Sequence, residues 1–343
     1  MKQESLRRAS VRELAAAAGV SPATVSRVLN DSTLVAPATR DRVLAAARAL
    51  DVAPPLPRAD ARPSRPAVFV RCPYVLTDYF GFLVSAVADT LERHGRPLLL
   101  SAGNGAQHED PLATLASRRD VAGAILVLPR EPAAELAALG RAGFPFVVLD
   151  PRTRPPEDVV AVSANQFAAA RQLTEHLLEL GHRRIGVVGG PPHWLASVDR
   201  LAGIRAALAG VGVLLDPQRV RPVDDPRFED GGAAAADLLD LADRPTALVC
   251  FNDKVAVGAL RAAADRGLRV PEDLSVTGFD DLEVGHVSSP TLTTVRQPLA
   301  EMGRMSVSLL ARRLAGHELD AVHVELATQL VVRGSTGTAP RPR

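Results

Sequence analysis

The chain has 343 residues, of which 47% are hydrophobic and only 3% aromatic, and its formal net charge is +1. This length exceeds one ordinary core and predicts two or three domains. No apolar run is long enough to span a bilayer, and the N-terminus lacks the apolar core of a signal peptide. A cytoplasmic protein with no membrane partner is therefore expected.

Charge is distributed unevenly along the chain. Residues 1–65 contain 11 Lys+Arg against 6 Asp+Glu, whereas the remainder contains 29 against 33. A basic minor segment attached to an acidic major one is typical of proteins that present one end to nucleic-acid phosphates.

Residues 10–30 predict two short helices joined by a glycine turn. Ser10 and Glu13 have the spacing of a capping box, and Gly19 can adopt the positive φ that ends a helix. Ser21 can cap the second helix. Valines at helical spacing turn inward, which leaves short polar side chains and one arginine on the other faces. Such a face lets a helix approach a DNA duplex closely, with arginine available for a guanine edge.

A third helix is predicted from about Pro37 to Leu50, and the three helices form a headpiece over residues 1–52. Its inward-facing residues are Val43, Leu44, Ala47 and Leu50. An amphipathic hairpin that packs on another surface is the alternative to a DNA-binding unit. Residues 53–66 are rich in proline and arginine and predict a hinge or linker.

From residue 67 the pattern changes to alternating strands and helices in two successive blocks. The predicted strands are 67–71, 97–101, 123–128, 146–149, 159–162, 184–189, 219–222, 247–251 and 275–278. The predicted helices are 80–94, 111–118, 132–142, 165–180, 200–209, 231–242, 254–266 and 298–315. Two such blocks predict two doubly wound parallel sheets, with a ligand between them at the carboxyl ends of the strands.

Six motifs occur in a fixed order along the chain. They are VSPATVSRVLN (20–30), HLLELGHRRIG (176–186), DRLAG (199–203), FNDKVAVG (251–258), GLRVPEDLSVTGFDD (267–281) and PTLTTVRQP (290–298). Together they resemble the lactose/galactose repressor (LacI/GalR) family over nearly the full length. The resemblance implies an all-α helix-turn-helix headpiece and an α/β core of two doubly wound parallel-sheet lobes, like periplasmic binding proteins.

The same resemblance implies a transcriptional repressor that binds double-stranded operator DNA as a homodimer and is therefore nucleoid-associated. Its affinity for the operator is expected to be controlled by a small-molecule effector, and a sugar is the expected effector. The implied core spans residues 67–343, with lobe one at 67–162 plus 292–325 and lobe two at 163–291 plus 326–336. A sugar-binding receptor without DNA function is one alternative. A corepressor-dependent regulator that senses a non-sugar metabolite is another.

Binding roles follow from the resemblance, position by position. In the second helix, Pro22, Ala23 and Arg27 occupy base-contacting positions, and Ser21, Thr24, Ser26 and Asn30 occupy backbone-contacting ones. Because the side chain of Ala23 is too short for a bidentate hydrogen bond, Arg27 is expected to provide most of the direct readout.

In the core, Arg200, Asn252 and Asp280 stand where the family holds sugar hydroxyls, a task that suits a donor, an amide and a carboxylate. A capping or salt-bridge role is the alternative for each. Aromatic residues are scarce, so Trp194 and Tyr79, with Phe80 beside it, are expected to stack on a ligand, with ordinary core packing as the alternative. For Asp253 a structural or hinge-orienting role is expected, and for Asp281 a capping or salt-bridge role.

Several positions depart from the family pattern. Pro55 and Pro57 interrupt the expected hinge helix, and Ala61 replaces its wedge leucine, so that helix is expected to be shorter, displaced or absent. Ala36 lacks the side chain of a cap for the third helix. Ala164 stands where relatives often carry an aspartate.

No catalytic, cofactor or metal site is predicted. The eight histidines lack ligand spacing, and neither a nucleophile elbow nor a phosphate-binding glycine loop occurs. Cys72 and Cys250 lie in separate predicted strands and are expected to be reduced.

Overall fold

The computed structural model describes residues 10–29, 35–50, 66–103, 112–319 and 322–340. The chain divides into two compact units, residues 1–65 and 66–343. Predictions made for Asn30 and for residues 53–65, including the hinge helix, lie outside the described residues. Within the described segments, no helix is long and apolar enough to cross a bilayer.

The described part of the N-terminal unit contains the helices α1 (Val11–Ala18), α2 (Pro22–Leu29) and α3 (Pro37–Ala49). The predicted capping box is confirmed. The backbone N–H of Glu13 donates to Ser10 Oγ at 3.2 Å, and the backbone N–H of Ser10 donates to Glu13 Oε2 at 2.7 Å. Gly19 ends α1 with φ 62°, and Ala36 begins α3 with no side-chain cap, both as predicted.

One apolar cluster joins the three helices. Its buried members are Leu14, Ala15, Ala18, Val25, Val28, Val43, Ala46 and Ala47. The prediction that Leu50 also faces this cluster is wrong, because α3 ends at Ala49 and Leu50 is its C-cap, 44% exposed. The small side chains at the helix contacts allow a compact unit that leaves the outer faces of α2 free.

Lobe one contains a parallel six-stranded sheet in the order β11-β5-β4-β3-β1-β2. Its strands are β1 (Ala67–Cys72), β2 (Leu98–Ala102), β3 (Val121–Val127), β4 (Phe146–Leu149), β5 (Ala161–Ala164) and β11 (His323–Leu326). Its helices are α4 (Asp78–Arg93), α5 (Leu112–Leu115), α6 (Ala133–Arg141) and α12 (Leu299–Leu314). Apolar side chains cover both sheet faces, with α4 and α12 on one and α5 and α6 on the other.

Lobe two contains a parallel four-stranded sheet in the order β7-β6-β8-β9. Its strands are β6 (Ile185–Gly189), β7 (Val220–Pro222), β8 (Ala247–Cys250) and β9 (Ser275–Thr277). Its helices are α7 (Gln166–Glu179), α8 (Leu195–Gly210), α9 (Phe228–Leu239), α10 (Asp253–Ala264) and α11 (Glu283–Val287). Helices α7 and α8 cover one face of this sheet, and α9 and α10 cover the other.

The chain passes between the two sheets at three places: after β5, between β9 and α12, and after β11. The second and third passages pair as a short antiparallel ribbon of β10 (Thr294–Arg296) and β12 (Gln329–Val331). Sequence periodicity missed β10, β11, β12 and α11 because each has only three to five residues. It also placed the start of α8 at Arg200, five residues too late.

Helices α9 and α10 pack closely because Gly258 has no side chain. A Cβ at this position would lie far inside contact distance of the Phe228 carbonyl oxygen. We therefore expect Gly258→Ala to lower the free energy of unfolding by about 1–3 kcal/mol. Gly210→Ala is the matched control, since a Cβ there meets open space and alanine favours helix. Urea unfolding followed by circular dichroism tests this, and equal midpoints for the two variants would contradict it.

Candidate ligand cleft and nucleic-acid interface

A cavity of about 510 Å³ lies between the two lobes, at the carboxyl ends of their strands. The predicted ligand-binding residues all line it: Tyr79, Phe80, Trp194, Arg200, Asn252 and Asp280. We call this cavity the interlobe cleft. The structure thus brings together six residues spread over two hundred positions of sequence, and their role in ligand binding stays a prediction.

Arg200 forms the floor of the interlobe cleft. Its Nε donates to Gln166 Oε1 at 2.8 Å, and its Nη1 donates to the backbone oxygen of Phe251. The guanidinium carbon lies 3.5 Å from the ring centroid of Phe279 and 4.5 Å from that of Phe251. These contacts fix the guanidinium in one orientation, with Nη2 directed toward Asp280 Oδ1 at 3.9 Å.

Asp280 follows the end of β9 and presents a carboxylate beside Arg200. Its Oδ1 accepts a 2.6 Å hydrogen bond from Gln297 Nε2, and Oδ2 has no hydrogen-bond partner among the described residues. Burial raises the pKa of Asp280 to about 6, against the opposing effect of Arg200. The free oxygen is a ready acceptor for a ligand hydroxyl.

Asn252 has the capping role that the sequence offered as the alternative to ligand binding. Its Oδ1 accepts from the backbone N–H of Val255 at 2.9 Å and so caps α10, and its Nδ2 donates to the Pro226 oxygen at 3.2 Å. One amide N–H and one lone pair remain for a ligand. The cap sets the side-chain orientation before any ligand enters.

Lobe one contributes Tyr79 and Phe80 from the first turn of α4. The Tyr79 hydroxyl donates to Asp150 Oδ2 at 2.9 Å, and the ring of Phe80 stacks on Tyr74 at 4.5 Å between centroids. Burial, followed by the charge of Asp150, raises the pKa of Tyr79 well above its usual value. The tyrosine is therefore a neutral donor. Sequence reasoning missed Asp150, although its place directly after strand β4 was a usable signal.

Trp194 stands at the N-cap position of α8, and its ring is already surrounded. Tyr74 and Phe251 contact it edge-on at 6.3 and 6.1 Å between centroids, and the Arg152 guanidinium lies 5.7 Å from its centroid. Its Nε1 is buried and has no hydrogen-bond partner among the residues that the structure describes. A ligand that stacks on this indole must therefore share the ring with Arg152, and the unused N–H is an available donor.

Asp253 anchors the ribbon that connects the lobes. Its Oδ1 accepts from Thr294 Oγ1 at 2.6 Å, and its Oδ2 accepts from the backbone N–H of Leu282 at 2.7 Å. Burial and the charge of Asp280 raise the pKa of Asp253 to about 7. These contacts agree with the structural role expected for this residue, and a hinge-orienting role stays a prediction.

Asp281 makes the predicted salt bridges. Its carboxylate contacts Arg296 Nε and Arg333 Nη2, each at 2.6 Å, and His286 Nε2 at 2.9 Å. Arg296 lies in β10, and Arg333 follows β12. Asp280, which lines the cleft, is thus followed directly by Asp281, which binds both of the segments that cross between the lobes.

The two lobes also touch at the mouth of the cleft. Lys254 Nζ lies 2.6 Å from Asp78 Oδ2, and Arg152 Nη2 lies 2.7 Å from His193 Nε2. The backbone N–H of Leu195 donates to the Arg152 oxygen at 2.8 Å. One ion pair and two hydrogen bonds therefore bridge the mouth, whereas the interior contains more carboxylates than guanidinium groups.

Helix α2 presents the predicted nucleic-acid face. Pro22, Ala23 and Arg27 are exposed, and Ser21 Oγ accepts from the Thr24 backbone N–H at 3.1 Å and lies 2.9 Å from Thr24 Oγ1. The placement of Ser26 is described for the backbone only. The exposed face is confirmed, and its contacts with DNA stay a prediction.

Other chemistry is thin in the described part of the chain. No group of three His, Cys, Asp or Glu side chains there could hold a metal ion. Cys72 and Cys250 are buried and free, and burial raises the pKa of both thiols. Reduced structural thiols were predicted, and both thiols are free in the structure.

Comparison with known proteins supports this geometry. Residues 10–54 match the model of bacterial regulatory proteins of the lacI family, and residues 174–336 match a periplasmic binding protein-like domain. The HTH-type transcriptional repressor CytR of Escherichia coli (strain K12) is 33% identical over 341 residues, 99% of each chain.

Two solved structures match 96% of this chain, and each match covers 100% of the solved chain. The transcriptional regulator CelR in complex with cellobiose has a TM-score of 0.71 at 34% identity. The lac repressor dimer bound to operator and the anti-inducer ONPF has a TM-score of 0.71 at 27% identity. These relatives are transcriptional regulators rather than enzymes, in agreement with the prediction from the motifs.

The raised pKa values of Asp253 and Asp280 make stability depend on pH. Each group binds its proton more tightly when folded, so its contribution is complete near pH 4 and is lost as pH rises through about 6 and 7. We expect the free energy of unfolding to fall by on the order of 3 kcal/mol between pH 5 and 8. Asp280→Asn should flatten this slope and stabilise the protein at pH 8.

Urea unfolding midpoints measured across this pH range test the expectation. The control is Asp237→Asn, because Asp237 is an exposed carboxylate on α9. A slope that persists unchanged in Asp280→Asn would show that the buried carboxylate is not its source.

Proposed function

The chain belongs to the lacI family of bacterial regulatory proteins, and we propose that it represses transcription as a homodimer that releases its operator when a neutral sugar closes the interlobe cleft. The observation that carries the proposal is the pairing of an exposed DNA-reading face on α2 with a buried polar cleft in the core. Each of these surfaces suits one ligand and not the other.

Operator recognition is assigned to α2. Its capped first turn presents Ser21 and Thr24 near the helix N-terminus, where hydroxyls and backbone N–H groups suit phosphate oxygens. One turn later Arg27 supplies a guanidinium that can bond guanine O6 and N7. Two copies in a dimer would read half-sites one helical turn apart. The lac repressor structure, a dimer on its operator, supports this arrangement.

A neutral polyhydroxylated effector fits the cleft interior. Asp280 Oδ2 can accept a hydrogen bond from a ligand hydroxyl, while Arg200 Nη2 and Trp194 Nε1 can donate hydrogen bonds to ligand oxygens. The buried carboxylates Asp150 and Asp280 disfavour an anion at this depth, since burial already raises the pKa of both. A volume of about 510 Å³ is within the range of small-molecule sites. The cellobiose bound by CelR supports the choice of a sugar.

Effector and operator are coupled through two states of the core. A sugar that bonds residues of both lobes favours the closed arrangement, and the crossing segments held by Asp253 and Asp281 transmit that change. We propose that closure lowers operator affinity. Because coupling is reciprocal, operator DNA should weaken sugar binding by the same factor.

Arg27→Ala tests the DNA-reading role. Loss of a bidentate contact with guanine costs about 1–3 kcal/mol, so operator affinity should fall roughly 5- to 150-fold while non-specific binding persists. The measurement is a gel shift with the promoter region upstream of the gene, with and without competitor DNA. Arg141→Ala, an exposed arginine of the core, is the control. Equal losses on operator and competitor DNA would contradict a role in readout.

Asp280→Asn tests the effector role. A panel of monosaccharides, disaccharides including cellobiose, and nucleobases is first screened by thermal shift and Trp194 fluorescence. For the compound that binds, we expect the variant to weaken binding at least tenfold, because a hydrogen bond to a charged group is worth about 1.5–3 kcal/mol. Operator affinity without effector should stay within about twofold.

Two results would overturn parts of this proposal. A compound that tightens operator binding would identify a corepressor and reverse the sign of the coupling. If Arg27→Ala and Asp280→Asn each reduced DNA binding and sugar binding equally in folded protein, the assignment of separate surfaces would be wrong.

A further inference from the structure

A second cavity lies inside lobe two, between the sheet and helices α7 and α8. Its volume is about 320 Å³, at the lower end of the range for small-molecule sites. We call it the lateral pocket. Most of its lining is apolar and includes Val187 and Val249 on the sheet, Leu173 on α7, and Leu201 and Ile204 on α8. The repressor function proposed above does not use this cavity.

The composition of this face explains why space remains. The buried cluster beneath α7 and α8 consists of alanine, valine, leucine and isoleucine side chains, with Phe279 as its buried aromatic member. Ala170 on α7 and Gly189 on β6 also line the pocket and contribute little volume. Apolar surface that stays in contact with water in such a pocket is unfavourable, so an occupant of matching shape would be favoured.

One buried polar side-chain atom in the lining lacks a partner within the described part of the chain. Ser197 Oγ is buried there without a hydrogen bond, although a buried hydroxyl without one is costly. The same lining contains no acidic side chain, and the guanidinium of Arg200 is already engaged with Gln166 and Phe251. Arg205 also lines the pocket, but it is an exposed residue. Away from that exposed cation, Ser197 offers one hydrogen bond in apolar surroundings, which favours a neutral ligand.

The size of the pocket limits the ligand further. An apolar cavity of about 150 Å³ accepts benzene, and the lateral pocket has about twice that volume. Val198 and Pro222 lie at its opening, and Val198 is 53% exposed, so a ligand can enter from solvent. We propose that the lateral pocket binds a small neutral bicyclic aromatic molecule that forms one hydrogen bond with Ser197.

Indole is the probe for this proposal, and isothermal titration of the full-length protein is the measurement. We expect one site per chain with a dissociation constant below about 1 mM. Val198→Phe should block the opening and weaken binding at least tenfold. Val211→Phe is the matched control, because Val211 is also half exposed, lies at the other end of α8 and is outside the lining.

Two further variants separate the lateral pocket from the interlobe cleft. Ser197→Ala should weaken indole binding about fivefold, the effect of one hydrogen bond. Phe80→Ala, a change in the interlobe cleft, should leave it unchanged. The proposal is overturned if indole shows no saturable binding up to about 5 mM. Equal effects of Val198→Phe and Val211→Phe, or loss of binding in Phe80→Ala, would also overturn it.

Discussion

The interlobe cleft depends on one buried guanidinium. Arg200 lies between the rings of Phe251 and Phe279 and donates to Gln166 and to the backbone oxygen of Phe251. Removal of a cation from water is expensive unless its donors are satisfied, and here the lobe-two core supplies acceptors before any ligand arrives. The arginine is therefore held in one orientation, with a single nitrogen left to face Asp280. A preformed donor loses less conformational entropy on binding than a flexible one.

The carboxylates around Arg200 carry more negative charge than one guanidinium can neutralise. Burial raises the pKa of Asp150, Asp253 and Asp280, which means that the folded protein bears a cost at neutral pH. In the described part of the chain, all five non-glycine residues with positive φ lie at strand ends or helix starts beside the cleft, Asp150 and Asp280 among them. Strain and desolvation collected at one place are typical of a binding site rather than of a core. Stability is lower here because the site must present acceptors to a ligand.

Much of this arrangement could be predicted from the sequence, and the limits have physical causes. The capping box of Ser10 and the turn at Gly19 were predictable because they are local. Long periodic helices and buried strands were predictable for the same reason. Asp150, Gln166 and Gln297 were missed because their roles depend on contacts between distant segments, such as the bond from Gln297 to Asp280. The ring of Trp194 was expected to be open to a ligand, and only the fold shows that Arg152 shares it.

Arg200 and Phe251 line the interlobe cleft and the lateral pocket alike. A molecule in the lateral pocket would contact the rings that clasp the guanidinium, and a molecule in the cleft would contact its free nitrogen. If both sites bind a ligand, we expect occupancy of one site to change the affinity of the other, because each ligand changes the conformational freedom of Arg200 and Phe251. Reciprocity then requires that the sugar change the affinity for the aromatic ligand by the same factor as the aromatic ligand changes the affinity for the sugar. Through the wall that the two cavities share, a ligand in the lateral pocket would alter the response of the protein to the sugar.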